Sequence, residues 1–228
     1  MSRTAPPRAP AFVAREVAVE IPADRVVLGA DLLLVPGAPG IVVFAHGSGS
    51  DRRSPRNRSV AAGLNRAGLS TLLLDLLSEE EDREYAARFD LETMAPRLVA
   101  ATEWVWRNPS TQGLRVGYFG ASTGAAVALV AAAELGPRVH AVVARGGRPD
   151  LVGPGLARVD SPTLLVVGSR DEVVLGFNRY ALAELGCSHK ELAVVPGASH
   201  LFEEAGTLEQ VTLHATRWFL EYLVPKVH

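Results

Sequence analysis

The sequence predicts an α/β protein with a doubly wound, mostly parallel sheet of about eight strands. Short apolar runs that are typical of strands buried on both faces recur along the chain. Segments with helical periodicity separate these runs, and such alternation implies parallel strands joined by right-handed crossovers. At 228 residues and with no internal repeat, one domain is the simplest interpretation.

Composition narrows the function classes. The formal net charge of -2 gives no reason to expect nucleic acid or an acidic membrane surface as a partner. Cys187 is the single cysteine, so neither an intrachain disulfide nor a cysteine-based metal cluster can form. Residues 1–10 lack the apolar core of a signal peptide, and no apolar run is long enough to span a bilayer. We therefore expect a cytoplasmic protein, either a monomer or a homodimer.

The first elements set up the edge of the sheet. We expect residues 1–12 to form a flexible extension and residues 13–228 to form the domain. Apolar residues alternate over 17–21, and residues 26–35 resemble a returning partner strand, so an antiparallel hairpin opens the sheet. The next strand, 41–45, is apolar throughout.

Later elements alternate between helix and strand. Residues 91–107 place Met94, Leu98, Ala101 and Val105 on one helical face, although Pro96 makes the start of that helix uncertain. The remaining predicted strands are 69–77, 114–119, 139–144, 163–168 and 192–195, and the remaining helices are one capped by Asn57 or Ser59 and ending near 67, then 125–135, 172–186 and 208–223. The connection 148–160 is too rich in glycine and proline for a long helix.

The segment Gly120-Ala121-Ser122-Thr123-Gly124 is the first candidate for chemistry. It follows a strand and precedes a small-residue helix, which is the context of a nucleophile elbow. The turn is so tight that its flanking residues must be small, and the serine is raised above the sheet. Because glycine, alanine and serine are abundant in this chain, the pattern alone is also compatible with an ordinary tight turn.

A nucleophilic serine needs a base, and the base needs an orienting group. Asp171 and His200 follow the last two predicted strands, so the order along the chain is serine, aspartate, histidine. Alternatively, Asp171 is only a helix N-cap and His200 only a capping or partly buried residue. Glu172 is the nearest rival for the acid, with Asp150 and Asp160 less suitable.

Acyl transfer also needs donors for an oxyanion. The amide of Thr123 supplies one, and the amide of Ser48 in His46-Gly47-Ser48-Gly49 supplies the second, with Gly49 as the alternative. Four arginines lie close behind this loop and either bind a carboxylate or phosphate of the substrate or form a solvated, helix-pairing cluster: Arg52, Arg53, Arg56 and Arg58.

These motifs resemble those of α/β-hydrolases of the dienelactone hydrolase-like group. The resemblance spans residues 15–223 and rests on segments 46–50, 120–124, 168–171 and 197–200. It implies an α/β-hydrolase fold without a large cap domain. Dienelactone hydrolases proper have cysteine at the elbow, whereas this chain has Ser122, so their lactone substrate is not implied.

The sequence therefore predicts a serine carboxylic-ester hydrolase for small, short-acyl esters, with neither cofactor nor metal. Ser122, Asp171 and His200 would form the triad. A thioesterase, acyltransferase or perhydrolase would share these residues. A non-catalytic binding protein on the same scaffold is a third possibility, although an intact triad argues against it.

Overall fold

A single eight-stranded sheet forms the centre of the molecule. The computed structural model describes residues 15–225, so the predicted extension at 1–12 lies outside the described residues. The strands are β1 (Arg15–Ala23), β2 (Val26–Leu34), β3 (Gly40–Ala45), β4 (Ser70–Leu74), β5 (Arg115–Ala121), β6 (Val139–Arg145), β7 (Thr163–Gly168) and β8 (Lys190–Val195). Their order across the sheet is β1-β2-β4-β3-β5-β6-β7-β8.

The predicted mixture of strand directions is confirmed. Strands β1 and β2 form an antiparallel hairpin, and β2 also pairs antiparallel with β4. From β4 to β8 every pairing is parallel. The carboxyl ends of β3 to β8 therefore meet at one edge, where ligands bind in open sheets of this type.

Helices cover both faces of the sheet. They are α1 (Pro55–Arg66), α2 (Leu91–Arg107), α3 (Thr123–Leu135), α4 (Glu172–Glu184) and α5 (Thr207–Leu223). One core cluster joins the sheet to α2 and α3, and a second joins the opposite face to α1 and α5. The predicted inner face of α2 is confirmed, because Met94, Leu98, Ala101 and Val105 are all buried.

The start of α1 differs from the prediction. Ser54, rather than Asn57 or Ser59, is the N-cap, and its Oγ accepts a 3.4 Å hydrogen bond from the amide of Asn57. Pro55 occupies the first helical position, where its missing N–H group costs nothing. The adjacent Ser54 and Pro55 therefore place the N-cap of α1 three residues before Asn57.

Strand β4 is also shorter than the predicted 69–77. The chain leaves the sheet after Leu74, and the amide of Leu76 donates to Nε2 of His46 instead of to another strand. Hydrogen bonding to a side chain 30 residues away therefore ends the strand, and local sequence does not reveal such a partner.

Two longer connections lie above the strand ends. Residues 75–90 contain two short 3₁₀ turns, and Pro149–Arg158 contains 3₁₀ turns kinked at Gly153. Neither forms a further domain, so residues 15–225 have the expected α/β-hydrolase architecture without a large cap. In the same part of the chain, every helix is too short or too polar to cross a membrane.

Candidate active site

Ser122 occupies the predicted turn between strand and helix. Strand β5 ends at Ala121 and α3 begins at Thr123, so a single residue links them. Ser122 adopts φ 52° and ψ -121°, a conformation that is rarely populated by residues with a side chain. Backbone strain of this kind concentrates at functional sites, where the surrounding structure maintains it.

Close packing explains the two glycines of the elbow. A Cβ atom on Gly120 would lie 2.5 Å from Cα of Ala125, and one on Gly124 would overlap the carbonyl oxygens of Ala45 and His46. Helix α3 therefore packs directly on β3 and β5. Any larger residue at either position would push the helix, and Ser122 with it, away from the sheet.

Two backbone hydrogen bonds hold the elbow against the neighbouring loop. The amide of Ser122 donates to the carbonyl of Arg145 at 3.0 Å, and the amide of Arg148 donates to the carbonyl of Ser122 at 3.2 Å. Nδ2 of the buried Asn178 donates to the carbonyl of Gly147 in the same loop at 3.0 Å. Hydrogen bonds to both the N–H and the C=O group of Ser122 thus hold the strained residue in place.

The structure brings His200 and Asp171 together. Nδ1 of His200 lies 2.6 Å from Oδ2 of Asp171, and the side chains are 39% and 14% exposed. Asp171 starts α4, but its carboxylate forms no capping hydrogen bond there. Because the carboxylate accepts the Nδ1 proton, Nε2 is left as the ring nitrogen available to a reacting group.

None of the three rival acids has this position. Glu172 and Asp160 are exposed, and no hydrogen bond or ion pair to His200 is formed by either within residues 15–225. Asp150 instead accepts hydrogen bonds of 2.7 and 2.9 Å from the guanidinium of Arg148. Among the acids considered, only Asp171 contacts the histidine.

The loops that carry the acid and the histidine are joined to each other. The amide of Arg170 donates to the carbonyl of Ala198 at 2.9 Å, and the amide of Gly197 donates to Oγ of Ser169 at 2.8 Å. A Cβ atom on Gly168 would overlap the carbonyl of Ala198, which explains why this strand ends in glycine. These contacts fix the relative position of Asp171 and His200.

Ser122 and His200 line one cavity of about 240 Å³. A hydrogen bond between the two side chains is not formed among the contacts of residues 15–225. Without a ligand, such catalytic contacts are often long and shorten when substrate binds. Gly146, with φ 52°, lies beneath the histidine, and a Cβ atom there would be 3.5 Å from the ring. The complete cavity wall consists of Gly47, Ser48, Ser50, Ser54, Arg56, Asn57, Ala121, Ser122, Arg145, His200 and Leu201.

One predicted oxyanion donor, Ser48, lines this cavity, and the other, Thr123, directly follows Ser122. Ser48 lies in its wall, and Gly47 packs so closely on the elbow that a Cβ atom there would be 3.1 Å from Cβ of Ser122. Thr123 is the first residue of α3, whose initial amides have no acceptor within the helix. The elbow helix and the loop after β3 therefore meet beside Ser122.

His46 holds that loop in place, a role that our sequence analysis missed. The buried ring accepts from the amide of Leu76 through Nε2 at 2.9 Å and donates through Nδ1 to the carbonyl of Gly47 at 3.0 Å. An amide can only donate, so Nε2 carries no proton and Nδ1 does. In the sequence, the one indication of this role is that His46 directly precedes the glycine-rich segment after β3.

The four arginines of the cluster lie in different environments. Arg52 pairs with Asp75 after β4, and Arg58 pairs with Asp31 of β2 at 2.8 Å, so both join the segment around α1 to neighbouring strands. Arg53 is exposed beside Asp51. Arg56 instead lines the cavity that contains Ser122. The interpretation as a solvated or helix-pairing cluster thus fits Arg52, Arg53 and Arg58.

Arg145 is the second residue whose environment the sequence did not reveal. It ends β6, its side chain is buried, and it faces the same cavity. Burial, followed by repulsion from Arg56, lowers the pKa of Arg145 to about 10. In the sequence, the indication of a buried arginine is that Arg145 ends a strand that is otherwise mostly apolar.

Comparison with known proteins agrees with this geometry. The sequence model of the dienelactone hydrolase family matches residues 32–217. The chain belongs to the dienelactone hydrolase family. A solved structure of a dienelactone hydrolase from Anabaena variabilis is 53% identical, with a TM-score of 0.89 over 92% of this chain and 98% of that one. The esterase Est1E of Butyrivibrio proteoclasticus, at 17% identity, shares the fold with a TM-score of 0.74, covering 90% of this chain and 98% of that one.

A relative from Mycobacterium tuberculosis has a different name. It is provisionally named a phosphoribosyl transferase, and it is 58% identical over 192 residues. The match covers 84% of this chain but 43% of that protein. This member of the dienelactone hydrolase family therefore spans less than half the length of the curated relative.

Proposed function

We propose that this protein is a serine hydrolase that cleaves small, short-acyl carboxylic esters through an acyl-enzyme. The observation that carries the proposal is the position of Ser122. It lies on a strained strand–helix turn and shares a cavity with a histidine that Asp171 orients. A nucleophile, a base and an orienting acid are the minimum set for this chemistry.

The first half-reaction forms the acyl-enzyme. Oγ of Ser122 attacks the acyl carbon while Nε2 of His200 removes the hydroxyl proton. The carbonyl oxygen becomes an oxyanion and accepts hydrogen bonds from the amides of Ser48 and Thr123. His200 then donates its proton to the leaving alcohol as the C–O bond breaks.

The second half-reaction regenerates the enzyme. A water molecule attacks the acyl carbon, and His200 accepts one of its protons. The tetrahedral intermediate collapses, the acid leaves, and the proton returns to Oγ of Ser122. Throughout, Asp171 keeps the proton of the imidazole on Nδ1 and stabilises the imidazolium that forms.

A thiol nucleophile does not fit this chain. Cys187 is the only cysteine in the sequence, and it is buried at 4% exposure outside the wall of the cavity. Burial raises the pKa of its thiol, which disfavours the reactive thiolate. Ser122 is therefore the candidate nucleophile.

The comparisons support a hydrolase over a phosphoribosyl transferase. The transferase name describes a protein more than half of which has no counterpart here. The sequence of this chain contains no phosphate-binding glycine loop of the G-x-x-x-x-G-K-[ST] type. We infer that the transferase activity, if present in that relative, resides in the part that this chain does not match.

The test is hydrolysis of p-nitrophenyl acetate by the purified protein. We expect a burst of p-nitrophenol equal to the enzyme concentration if deacylation is slow, and Ser122→Ala should lose at least about 10⁴-fold in kcat/KM. Acetyl-CoA tested in parallel distinguishes a thioesterase. Wild-type activity in Ser122→Ala would refute the assignment, and no turnover of any ester or thioester would favour a binding protein.

Location and assembly remain predictions. We expect a cytoplasmic monomer or homodimer that acts without a cofactor. Light scattering during size-exclusion chromatography would give the oligomeric state.

A further inference from the structure

The guanidinium of Arg145 is buried without a counter-ion. Its residue is 7% exposed, and Nε has no hydrogen-bond partner in residues 15–225. Within the same range it forms no ion pair with a carboxylate. The favourable contact that it does make is with the ring of Phe202, whose centroid lies 5.7 Å from the guanidinium carbon. A buried charge without a partner is costly, so such an arginine marks a site where a ligand supplies the anion.

A second arginine faces the same cavity. Nε of Arg56 is also buried and unpaired within residues 15–225, and its terminal nitrogen lies 3.4 Å from Glu203. Glu203 is 65% exposed, so solvent and salt screen that pair. The wall of the cavity contains both arginines and neither aspartate nor glutamate. Repulsion between Arg56 and Arg145 therefore has no compensation from the wall itself.

The same wall includes the first turn of α1. Ser54 caps this helix, and Ser54, Arg56 and Asn57 all line the cavity. No acidic residue occupies that turn, so the positive end of the helix dipole is not neutralised there. Oδ1 of Asn57 is buried and unpaired as well, but as an acceptor it offers no hydrogen bond to an anion. A helix N-terminus and two guanidinium groups thus converge beside Ser122.

We propose that Arg145, Arg56 and the first turn of α1 bind a phosphoryl group of the substrate, next to the ester that Ser122 attacks. A phosphate monoester carries a charge of about -1.5 to -2 near neutral pH and three acceptor oxygens. That charge matches both arginines, whereas a single carboxylate leaves one of them uncompensated. The inference deepens the proposed hydrolase function by assigning the substrate class.

The kinetic test uses three acetyl esters of one shape. These are 3-acetoxyphenyl phosphate, 3-acetoxybenzoate and the neutral 3-acetoxybenzamide. We expect the wild type to prefer the phosphate ester over the amide in kcat/KM. The ratio should fall about 10- to 100-fold in Arg145→Met and in Arg56→Gln, the range that loss of a charged hydrogen bond predicts. Because each ratio is taken within one variant, general losses of activity cancel.

Arg53→Gln is the matched control. It removes the same charge three residues before Arg56, but its side chain is 67% exposed beside Asp51 and lies outside the cavity wall. We expect its ratio to equal that of the wild type. A fall as large as that of Arg56→Gln would show a general electrostatic effect and overturn the subsite.

A binding test does not depend on ester hydrolysis. Phenyl phosphate is titrated calorimetrically into Ser122→Ala, with and without Arg145→Met. We expect the second substitution to weaken binding at least 10-fold. In phosphate-free buffer, Arg145→Met should also melt at a higher temperature than the wild type, because it removes an uncompensated buried charge. Lower thermal stability with unchanged binding would show that Arg145 is only structural.

The outcomes separate the two proposals. Binding of phenyl phosphate that requires Arg145, without hydrolysis of any ester, supports the subsite and refutes the hydrolase. Ester hydrolysis with neither phosphate preference nor phosphate binding refutes the subsite alone. Preference for 3-acetoxybenzoate over the phosphate ester overturns the assignment to a phosphoryl group.

Discussion

Nε2 of His46 accepts a 2.9 Å hydrogen bond from the amide of Leu76. A buried side chain after β3 thereby satisfies the backbone after β4, and its other nitrogen donates to Gly47 in the proposed oxyanion loop. Because Leu76 is fully buried, any residue at position 46 that cannot accept this hydrogen bond leaves the amide buried and unpaired. The histidine links the packing of two strand ends to the geometry of the site.

His46→Ala should therefore affect both stability and turnover. We expect the free energy of unfolding to fall by about 1–3 kcal/mol, the cost of an unsatisfied buried donor. Displacement of the loop should lower kcat by up to about 10²–10³-fold, the loss that follows removal of one oxyanion donor. Urea unfolding and steady-state kinetics measure the two effects. The control is His189→Ala, an exposed histidine that packs on Tyr222, for which we expect changes within about 0.5 kcal/mol. Equal effects in both variants would contradict the role of His46.

Asp171→Asn tests the orienting acid. An amide can still occupy the space of the carboxylate, so the fold should persist. Because the amide favours the wrong imidazole tautomer, kcat should fall by roughly 10⁴-fold. Circular dichroism checks the fold and steady-state kinetics the rate. Glu172→Gln alters the next residue, which is exposed, and should retain wild-type rates. If the loss occurred in Glu172→Gln instead, the acid would be assigned to the wrong residue.

The size of the cavity predicts a preference for short acyl chains. Its volume is about 240 Å³, and the connections above it form only 3₁₀ turns over the described residues. Each buried methylene contributes about 0.8 kcal/mol, or roughly a fourfold gain in kcat/KM, until the pocket is full. We expect p-nitrophenyl esters from acetyl to butyryl to exceed decanoyl and longer ones. A steady rise as far as decanoyl would reveal a deep acyl tunnel and would contradict this prediction.

Glu81 should make stability depend on acid pH. Its carboxylate accepts hydrogen bonds of 2.6 and 2.7 Å from Arg97, and this pair lowers the pKa of Glu81 from 4.5 to about 2. The folded state therefore binds this proton less readily than the unfolded state does. The stabilisation is fully present above about pH 5 and is lost as the pH falls towards 2.

The measurement compares the wild type with Glu81→Gln, which cannot titrate, by chemical unfolding from pH 7 to pH 3. We expect the excess stability of the wild type to stay constant down to about pH 5 and to shrink from there towards pH 3. Glu103→Gln, which removes the exposed pair with Arg107, should differ from the wild type by less than about 0.5 kcal/mol throughout. A pH-independent gap for Glu81→Gln would show that shape, rather than charge, sets its effect.

The sequence predicted the sheet and the elbow because their signals are local. Apolar runs such as 41–45 have the period of buried strands, and small residues around Ser122 are required within five positions. The hydrogen bond between His200 and Asp171 was predictable for a related reason. Both follow neighbouring parallel strands, so the topology alone brings them to one edge.

Long-range contacts explain what the sequence did not predict. The end of β4 depends on His46, and the burial of Arg145 depends on Phe202 and on the first turn of α1. Several polar residues before α1 could have capped it, and Ser54 does so because Pro55 fits the first helical position. Periodicity and local spacing identify neither His46 nor Phe202 as a partner, whereas the adjacent Ser54 and Pro55 are a local signal that the sequence analysis missed.

The most direct test of the central claim is covalent labelling of the nucleophile. The protein is incubated with a fluorophosphonate, which phosphonylates activated serines, and the adduct is located by peptide mass spectrometry. We expect one adduct per chain, on Ser122, with labelling slowed strongly in His200→Gln and absent in Ser122→Ala. A stoichiometric adduct on another residue, or undiminished labelling of Ser122→Ala, would contradict the account.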